Sequence, residues 1–346
     1  MKAALLTRPG EVKIQEVEGP KVGPLEALIK IKSCGVCATD VKKYVGASKA
    51  PWLPFILGHE PAGVVVEVGQ DVEDELSLGS RVAVAPVFTC GHCYGCRSGL
   101  TYSQGMGMCE DYEVLGYSMN GAFAEYVAVP ARHVHLIPDE LSFRDAALIE
   151  PVAACINGAL RVSQTPPGTV VVIGCGFMGL ATVQLLKLLG NRVVASDLQE
   201  ERRQLALDLG ADAVLDPGKE EIVSRVLELT DGRGADGVLC AVGGKAVTEQ
   251  AMDLLAKGGR LVLLASAPAG TKFEVDLSRL HYSQAVLTGS VSYTGPGYEW
   301  SSQLLRRGSL DVDTLISAVG PLEQTGEFLK MTKNLKGLKK VVMIGE

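Results

Sequence analysis

The sequence predicts an α/β protein with an added β-rich part, and three observations support this fold class. Between residues 151 and 289, strand-like runs such as TVVVIG and RVVASD alternate with helix-like runs such as FMGLATVQLLKLLG, the pattern of βαβ units around a parallel sheet. Residues 1–150 instead hold short Val/Ile/Leu runs bounded by Gly and Pro, such as AGVVVEVG and SRVAVAPV, which are typical of β-strands. The closing KKVVMIGE is also typical of a strand, and we expect it to rejoin the first part of the chain.

The composition is that of a globular protein and disfavours several classes of partner. Of 346 residues, 47% are apolar, and the net charge is −7 with a pI of about 5.4. An acidic chain without a basic stripe argues against nucleic acid or an anionic membrane as a partner. The N-terminal MKAALLTRPGEV has too short an apolar run for a secretory signal. Nine clustered cysteines, an odd number, favour a reducing compartment, so we expect a cytoplasmic protein.

The glycine-rich stretch GCGFMG predicts a dinucleotide site. Gly174, Gly176 and Gly179 follow the strand-like TVVVI and open a helix-like run, and the next strand ends at Asp197. In this pattern the glycines permit a tight turn, close approach of the backbone to a pyrophosphate, and close helix–strand packing. Asp197 would accept hydrogen bonds from the ribose hydroxyls of NAD and would repel the 2′-phosphate of NADP. The alternative is a glycine-rich packing contact without a ligand.

A second motif, within about residues 88–112, predicts a structural metal site. Its four cysteines have two, two and twelve residues between them: Cys90, Cys93, Cys96 and Cys109. Four thiolates can close a tetrahedral shell around Zn²⁺ and leave no position for a substrate. Disulfides and an iron–sulfur cluster are the alternatives for this spacing.

A third group of residues could form a metal site with an open position. Cys37 lies in SCGVCATD, His59 and Glu60 lie in LGHEPAG, and Glu150 lies in ALIEPV. One thiolate, one imidazole and one carboxylate leave a fourth position for water or substrate, as in a catalytic zinc site. From spacing alone, a buried cysteine with a surface His-Glu pair explains these residues equally well.

The order of these motifs carries a family resemblance. GVCATD, LGHEPAG, the four-cysteine stretch, GAFAEYV, IEP and GCGFMG follow one another along nearly the whole chain. This order resembles the zinc-dependent medium-chain alcohol dehydrogenases, especially the polyol and threonine dehydrogenase branch. The resemblance implies a GroES-like catalytic domain formed by 1–150 and 290–346, with a structural zinc lobe at about 88–112. A Rossmann NAD-binding domain, 151–289, is then inserted into it.

The resemblance also implies roles for the residues of the open metal site. It makes Cys37 and His59 ligands of a catalytic zinc, with Glu60 or Glu150 as the third ligand, and the choice between the two stays open. Cys34 is then a thiol of the core, so CxxC is not a functional unit.

Two neighbours of Cys37 receive roles from the same resemblance, and two features depart from it. Thr39 is placed to take the proton of the alcohol, and Asp40 to orient His59. The family often has a histidine five residues after the catalytic cysteine, where this chain has Lys42. The interval between Cys96 and Cys109 is five residues longer than the seven usual in the family, so the lobe carries a larger loop.

Further cofactor contacts are implied by resemblance alone. Arg202 follows Asp197 at the adenosine end, and the segments LLAS and GSV match those flanking the nicotinamide, although each could be ordinary strand-end backbone. The remaining candidate contacts are Phe177, Met178, Leu264, Ala265, Ser266, Ser290 and Val291. His133 and His135 are expected at the surface.

Together these features predict a zinc- and NAD-dependent dehydrogenase that oxidises a secondary alcohol, such as a polyol or sugar alcohol. A threonine-type amino-alcohol dehydrogenase is the alternative within the enzyme class, and a non-catalytic relative that binds NAD and zinc is the alternative outside it. Two zinc ions per chain, a small-molecule alcohol substrate and a homodimer or homotetramer are expected, the last because relatives assemble in this way.

Overall fold

A computed structural model describes residues 1–72 and 76–345 of the chain. The strands are β1 (Lys2–Arg8), β2 (Glu11–Glu16), β3 (Glu26–Val36), β4 (Phe55–Ile56), β5 (Glu60–Val68), β6 (Arg81–Val84), β7 (Val87–Thr89), β8 (Tyr112–Val114), β9 (Tyr126–Pro130), β10 (Val134–Leu136), β11 (Thr169–Ile173), β12 (Arg192–Ser196), β13 (Ala213–Leu215), β14 (Ala235–Cys240), β15 (Leu255–Leu263), β16 (Val286–Gly289), β17 (Ile316–Pro321) and β18 (Lys339–Met343). The helices are α1 (Ala38–Tyr44), α2 (Tyr94–Arg97), α3 (Leu100–Gln104), α4 (Phe143–Ala146), α5 (Ile149–Val162), α6 (Phe177–Leu188), α7 (Glu200–Asp208), α8 (Ile222–Leu229), α9 (Lys245–Asp253), α10 (Leu277–Ser283), α11 (Gly295–Arg306), α12 (Val312–Leu315) and α13 (Thr325–Lys333).

The chain divides into two compact units. One is built from both ends of the chain, Met1–Pro151 with Thr294–Glu346, and the other is Val152–Tyr293. The division falls inside α5, so a single helix leaves the first unit and enters the second.

The first unit is organised around a mostly antiparallel seven-stranded sheet. Its strand order is β10-β6-β5-β3-β18-β17, and β9 also pairs with β3. As its sequence predicts, the C-terminal strand β18 returns to this sheet, where it pairs antiparallel with the end of β3 and parallel with β17. This return places residues from the two ends of the chain side by side near Val36, the last residue of β3.

The second unit contains a parallel six-stranded sheet. The strand order is β13-β12-β11-β14-β15-β16, the arrangement of a doubly wound nucleotide-binding fold. Every residue of the central strand β11 is buried, because helices cover both faces of such a sheet. The carboxyl ends of β11, β15 and β16 therefore lie at the same edge of the sheet, where such folds bind ligands.

Each unit has its own apolar core. Among the residues described, no helix has the length and apolar character needed to cross a membrane.

His133 is only 7% exposed and packs against Phe88, with ring centroids 5.2 Å apart. The expectation that it lies at the surface is therefore wrong: it sits in a short 3-10 turn before β10, where its ring points inward. His135 is half-buried against Tyr298.

Candidate active site

The thiol of Cys37 lies at the start of α1. Cys37 is the N-cap residue, and its Sγ accepts a hydrogen bond from the Thr39 backbone N–H at 3.5 Å. The Asp40 carboxylate reaches back and accepts from the Cys37 backbone N–H at 2.9 Å. This reciprocal capping fixes the turn between β3 and α1 and leaves Cys37 half-buried, while Cys34 on β3 is fully buried in the apolar core.

Asp40 also holds the imidazole of His59. One carboxylate oxygen, Oδ1, accepts from the backbone N–H of Gly58 at 3.1 Å and from the Nδ1–H of His59 at 3.2 Å. Burial opposes the charged imidazolium, yet the negative charges of Asp40 and Cys37 outweigh it and raise the pKa of His59 well above its ordinary value. With Nδ1 engaged, Nε2 is the ring nitrogen left to bind a cation, the usual arrangement of a metal-binding histidine.

Cys37, His59 and Glu60 form a group that fits a metal ion. One ligand atom from each of the three lies within 4.8 Å of the other two. A thiolate, an imidazole and a carboxylate are the donor types that zinc prefers, and three of them leave one position open. The structure thus brings together these three predicted ligands, although Cys37 lies 22 residues before His59 in the sequence.

Glu150 is the predicted ligand that stands outside this group. It is the second residue of α5, near enough to His59 and Glu60 for their charges to act on it. Burial, reinforced by the negative charge of Glu60, raises the pKa of Glu150 to about 7. The site therefore holds two carboxylates with different surroundings.

Lys339, a cation of this site, was not predicted from the sequence. Its ammonium donates to both oxygens of Glu60, at 2.7 and 2.9 Å, and both residues are buried. The partners are 279 residues apart, and a lysine pair at the head of an apolar strand is indistinguishable from a surface feature in sequence.

The four cysteines of the lobe converge on one point. Cys90 and Cys96 have their sulfur atoms 3.9 Å apart, as do Cys93 and Cys109. Zinc–sulfur bonds of about 2.3 Å in a tetrahedron imply sulfur atoms about 3.8 Å apart. Backbone N–H groups of Cys90 and Cys93 also donate to the sulfur atoms of Cys109 and Cys90. These residues fit a closed metal site.

The three glycines of GCGFMG each have a distinct geometry. Gly174 has φ of +94°, and a Cβ there would lie 2.7 Å from Val242. A Cβ on Gly179 would lie 1.8 Å from the carbonyl oxygen of Gly174. At Gly176, the N-cap of α6, a Cβ would meet nothing within 4 Å. The open space beside Gly176 fits a ligand that approaches the backbone at the helix N-terminus.

Asp197 lies at the end of β12, beside this turn. Its two carboxylate oxygens accept hydrogen bonds from the backbone N–H groups of Cys175 and Gln199, both at 2.8 Å. The guanidinium of Arg202 approaches Asp197 to 4.0 Å. The carboxylate is thereby fixed next to the space that a dinucleotide would enter.

The cofactor contacts that were expected from the family resemblance alone all follow strands or open a helix at the same edge of the parallel sheet. Leu264 and Ala265 both donate backbone hydrogen bonds to the Cys240 carbonyl at 3.0 Å, and Ser266 follows them. Ser290 is buried, with its backbone N–H bonded to Leu263. Exposed or helix-opening candidates at this edge are Val291, Phe177 and Met178.

Comparison with known proteins identifies the family. Residues 23–139 match the family described as "Alcohol dehydrogenase GroES-like domain", and residues 178–307 match "Zinc-binding dehydrogenase". Sorbitol dehydrogenase of Bacillus subtilis (strain 168) is 30% identical over 99% of this chain and 97% of its own. The chain belongs to the zinc-dependent medium-chain alcohol dehydrogenases. L-threonine 3-dehydrogenase of Pyrococcus horikoshii is 33% identical, covering 92% of this chain and 90% of its own.

Solved structures agree with this assignment. A zinc-binding dehydrogenase candidate from Sinorhizobium meliloti 1021, bound to NADP, has a TM-score of 0.88 and 30% identity, covering 99% of this chain and 98% of that one. A protein from Escherichia coli CFT073 that is described as a short chain alcohol dehydrogenase, complexed with NADH, has a TM-score of 0.88 and 28% identity, covering 99% of both chains. The predicted family and fold class, a GroES-like domain with a Rossmann domain, are confirmed. The chain is accordingly a dehydrogenase whose cofactors are zinc and a nicotinamide dinucleotide.

Proposed function

We propose that this dehydrogenase uses NAD to oxidise a secondary alcohol, such as a polyol or sugar alcohol, to a ketone. The observation that carries the proposal is the convergence of Cys37, His59 and Glu60 within 4.8 Å, with Asp40 bonded behind the imidazole. Three donors with an open position suit a metal that must accept a substrate oxygen.

In this proposal Cys37, His59 and one of the two carboxylates, Glu60 or Glu150, hold the catalytic zinc. When bound, the metal supplies Lewis acidity, which lowers the pKa of a hydroxyl group by several units. Asp40 keeps the His59 ring in one tautomer and orientation, because its Oδ1 occupies Nδ1.

Two further groups complete the proposed machinery. Thr39, half-buried on the first turn of α1, would accept the proton of the substrate hydroxyl while its own hydroxyl proton passes to a ribose hydroxyl of the cofactor. The four cysteines of the lobe hold a structural zinc and touch no substrate, because their shell is closed.

The preference for NAD over NADP rests on Asp197. Its carboxylate is held in place by two backbone hydrogen bonds, so it cannot easily turn away from a 2′-phosphate. The Asp197 carboxylate and the 2′-phosphate of NADP are both negative and would repel each other, whereas the two ribose hydroxyls of NAD can donate hydrogen bonds to the carboxylate. The pyrophosphate is received at Gly174, Gly176 and Gly179, where the N-terminus of α6 begins. Arg202 and the segments that hold Leu264 and Ser290 contribute the remaining contacts.

Location and assembly follow from the same proposal. All nine cysteines are free thiols in the structure, with no disulfide among the residues described, which suits a reducing, cytoplasmic setting. We further propose that the protein is a homodimer or homotetramer with no nucleic-acid or membrane partner.

The test combines metal content with a substrate screen. Purified protein should contain two zinc ions per chain and form NADH from one or more polyols, with NADP a much poorer acceptor. Cys37→Ser should lose one zinc and turnover together. Cys34→Ala is the matched control, because Cys34 lies three residues earlier on β3 and is buried in the apolar core, and it should keep both zinc ions and activity.

The screen also separates the competing functions. L-threonine is included beside the polyols, and turnover of L-threonine alone would replace the polyol assignment with a threonine-type one. One zinc per chain with no NADH from any alcohol would identify a non-catalytic relative and refute the proposal.

A further inference from the structure

A buried arginine connects two turns at the edge of the parallel sheet. Arg203 is the fourth residue of α7 and is only 8% exposed. Its Nη1 donates to the carbonyl oxygens of Asp197 and Leu198, at 2.8 and 2.9 Å. Its Nη2 lies 2.8 Å from Oδ2 of Asp216, which is also buried. One guanidinium therefore contacts both the turn after β12 and the turn after β13.

Asp216 is itself held in place by the turn that follows β13. Its Oδ1 accepts a hydrogen bond from the backbone N–H of Gly218 at 3.0 Å. Its own backbone N–H donates to the Glu220 carboxylate, also at 3.0 Å. The turn after β13 thus provides a fixed anchor for the guanidinium of Arg203. The ammonium of Lys219 approaches the same Asp216 oxygen at 3.7 Å, so this carboxylate keeps a cation nearby when Arg203 is replaced.

The turn after β12 carries the carboxylate proposed to meet the adenosine ribose. Two backbone hydrogen bonds fix the Asp197 carboxylate relative to its own turn. The attachment of that turn to the sheet is weaker, because the Asp197 backbone N–H makes only a long bond, 3.4 Å, to the Leu215 carbonyl oxygen. The side chain of Leu198 is 72% exposed and gives the turn no apolar anchor. The two bonds from Arg203 therefore supply much of its support.

The chemistry of arginine suits this task better than that of an apolar residue. Burial of an ion pair costs desolvation energy, and an apolar side chain in the same place is often as stable or more so. The planar guanidinium, however, can donate in several fixed directions at once. At position 203 it uses these directions to join two carbonyl groups and one carboxylate. What the pair contributes is the position of the turn.

We propose that Arg203, anchored by Asp216, is a positioning residue that sets the preference for NAD over NADP. It holds the turn so that the Asp197 carboxylate stays where the 2′-phosphate of NADP would lie. This inference rests on the proposed role of Asp197 in that preference. A turn released from Arg203 lets the carboxylate retreat, which loosens its bonds to the ribose hydroxyls and also relieves its repulsion of the phosphate. The two affinities therefore respond unequally, whereas a side chain that only stabilised the fold would change both by the same factor.

The experiment compares three variants with a matched control. R203M removes the guanidinium and keeps an apolar stem, D216N weakens its anchor, and R203M/D216N removes both partners. The control is K187M, because Lys187 on α6 pairs with Asp212 at 2.9 and 2.7 Å. Asp212 in turn accepts from the backbone N–H of Val193 near the opposite end of β12, so this pair supports the same strand away from the turn.

Two measurements are made on each protein. Fluorescence titration gives the dissociation constants of NADH and NADPH, and hydrogen exchange of the ligand-free protein reports the backbone N–H of Gln199, which bonds to Asp197. In R203M, the NADH affinity should fall by about tenfold, the size of effect of hydrogen bonds to a charged group. The NADPH affinity should change by less than about threefold or rise. Exchange at Gln199 should become faster, and K187M should match the wild type in both measurements.

The double variant tests whether the two residues act as a unit. D216N alone should lower the ratio of NADH to NADPH affinity less than R203M does. Addition of D216N to R203M should not lower it further, because Asp216 acts through Arg203. If R203M is too unstable to titrate, the double variant replaces it, since that protein has no buried carboxylate left without its partner. The same fall in the ratio is expected.

The outcomes separate this inference from the proposed function. Equal losses of NADH and NADPH affinity in R203M, an unchanged ratio, or unchanged exchange at Gln199 would overturn the role of Arg203 alone. A wild-type protein that binds NADPH as tightly as NADH would overturn the proposed preference for NAD itself.

Discussion

Two glycines of the dinucleotide turn should respond in opposite ways to the same added methyl group. At Gly176 the backbone has φ −74° and ψ −173°, which alanine adopts freely, and the new Cβ would meet nothing within 4 Å. Gly176→Ala should therefore leave the free protein as stable as the wild type or more stable by about 0.4–1 kcal/mol, because alanine restricts the unfolded chain. The methyl group would occupy the space through which a pyrophosphate reaches the backbone. NADH affinity should fall by at least about tenfold, or about 1.4 kcal/mol.

At Gly179 the free protein itself must change. The new Cβ would lie 1.8 Å from the Gly174 carbonyl oxygen, against 3.4 Å for ordinary contact, so the turn and helix must separate by about 3.4 − 1.8 = 1.6 Å. Overpacking of this kind costs about 1–3 kcal/mol, and each kcal/mol lowers the melting temperature by about 2–4 °C in a protein of this size. Gly179→Ala should therefore melt several degrees early.

The assay is thermal unfolding of both variants without ligand, followed by titration with NADH monitored by its fluorescence. A Gly176→Ala protein that melts as early as Gly179→Ala, or that binds NADH as tightly as the wild type, would refute this division of roles between the two glycines.

Two further predictions concern the first unit. A Cβ on Gly295 would lie 2.0 Å from the ring of Tyr102, so Gly295→Ala should lower the free energy of unfolding by about 1 kcal/mol. The loss should vanish in a Tyr102→Ala background, where the ring is absent. Equal losses in both backgrounds, measured by thermal unfolding, would contradict this contact. His133 titrates at 6.5 when unfolded, but burial lowers its folded pKa to about 4, so unfolding takes up a proton between these values and stability falls as the pH drops through that window. Below pH 4, the loss of unfolding free energy relative to pH 7 should be smaller by about 3 kcal/mol in His133→Phe than in the wild type. Urea unfolding at pH 7 and at lower pH measures this difference. An unchanged pH dependence would show that another group is responsible.

The parts of the fold that sequence predicts well are those set by local chemistry. The turn GCGFMG forces its own geometry, since Gly174 needs a positive φ and Gly179 a close approach to the carbonyl of Gly174. The four cysteines lie within twenty residues, so their convergence needs little tertiary information. The alternation of strands and helices is also a local pattern, and it predicts the parallel sheet.

The arrangement of the open metal site depends on distant contacts that no local pattern encodes. Cys37, His59 and Glu60 come together because β3 and β5 are neighbours in one sheet, with Gly35 paired to Glu60. Lys339 reaches Glu60 only because β18 returns to pair with β3. The sequence therefore could not distinguish the surroundings of Glu60 and Glu150. It also could not show that His133 turns inward.

The long interval between Cys96 and Cys109 connects the lobe to the support of the metal site. It contains α3, whose Tyr102 rests on Gly295 at the first turn of α11. Further along the same helix lies Ser301, which is fully buried. Its hydroxyl donates a 2.8 Å hydrogen bond to the carbonyl oxygen of Ile149, the residue directly before Glu150. The lobe and Glu150 thus share one helix as their scaffold. Removal of the metal that we propose at the four cysteines should therefore disturb Glu150 more than Glu60, because Lys339 and Gly35 hold the Glu60 carboxylate independently of α11.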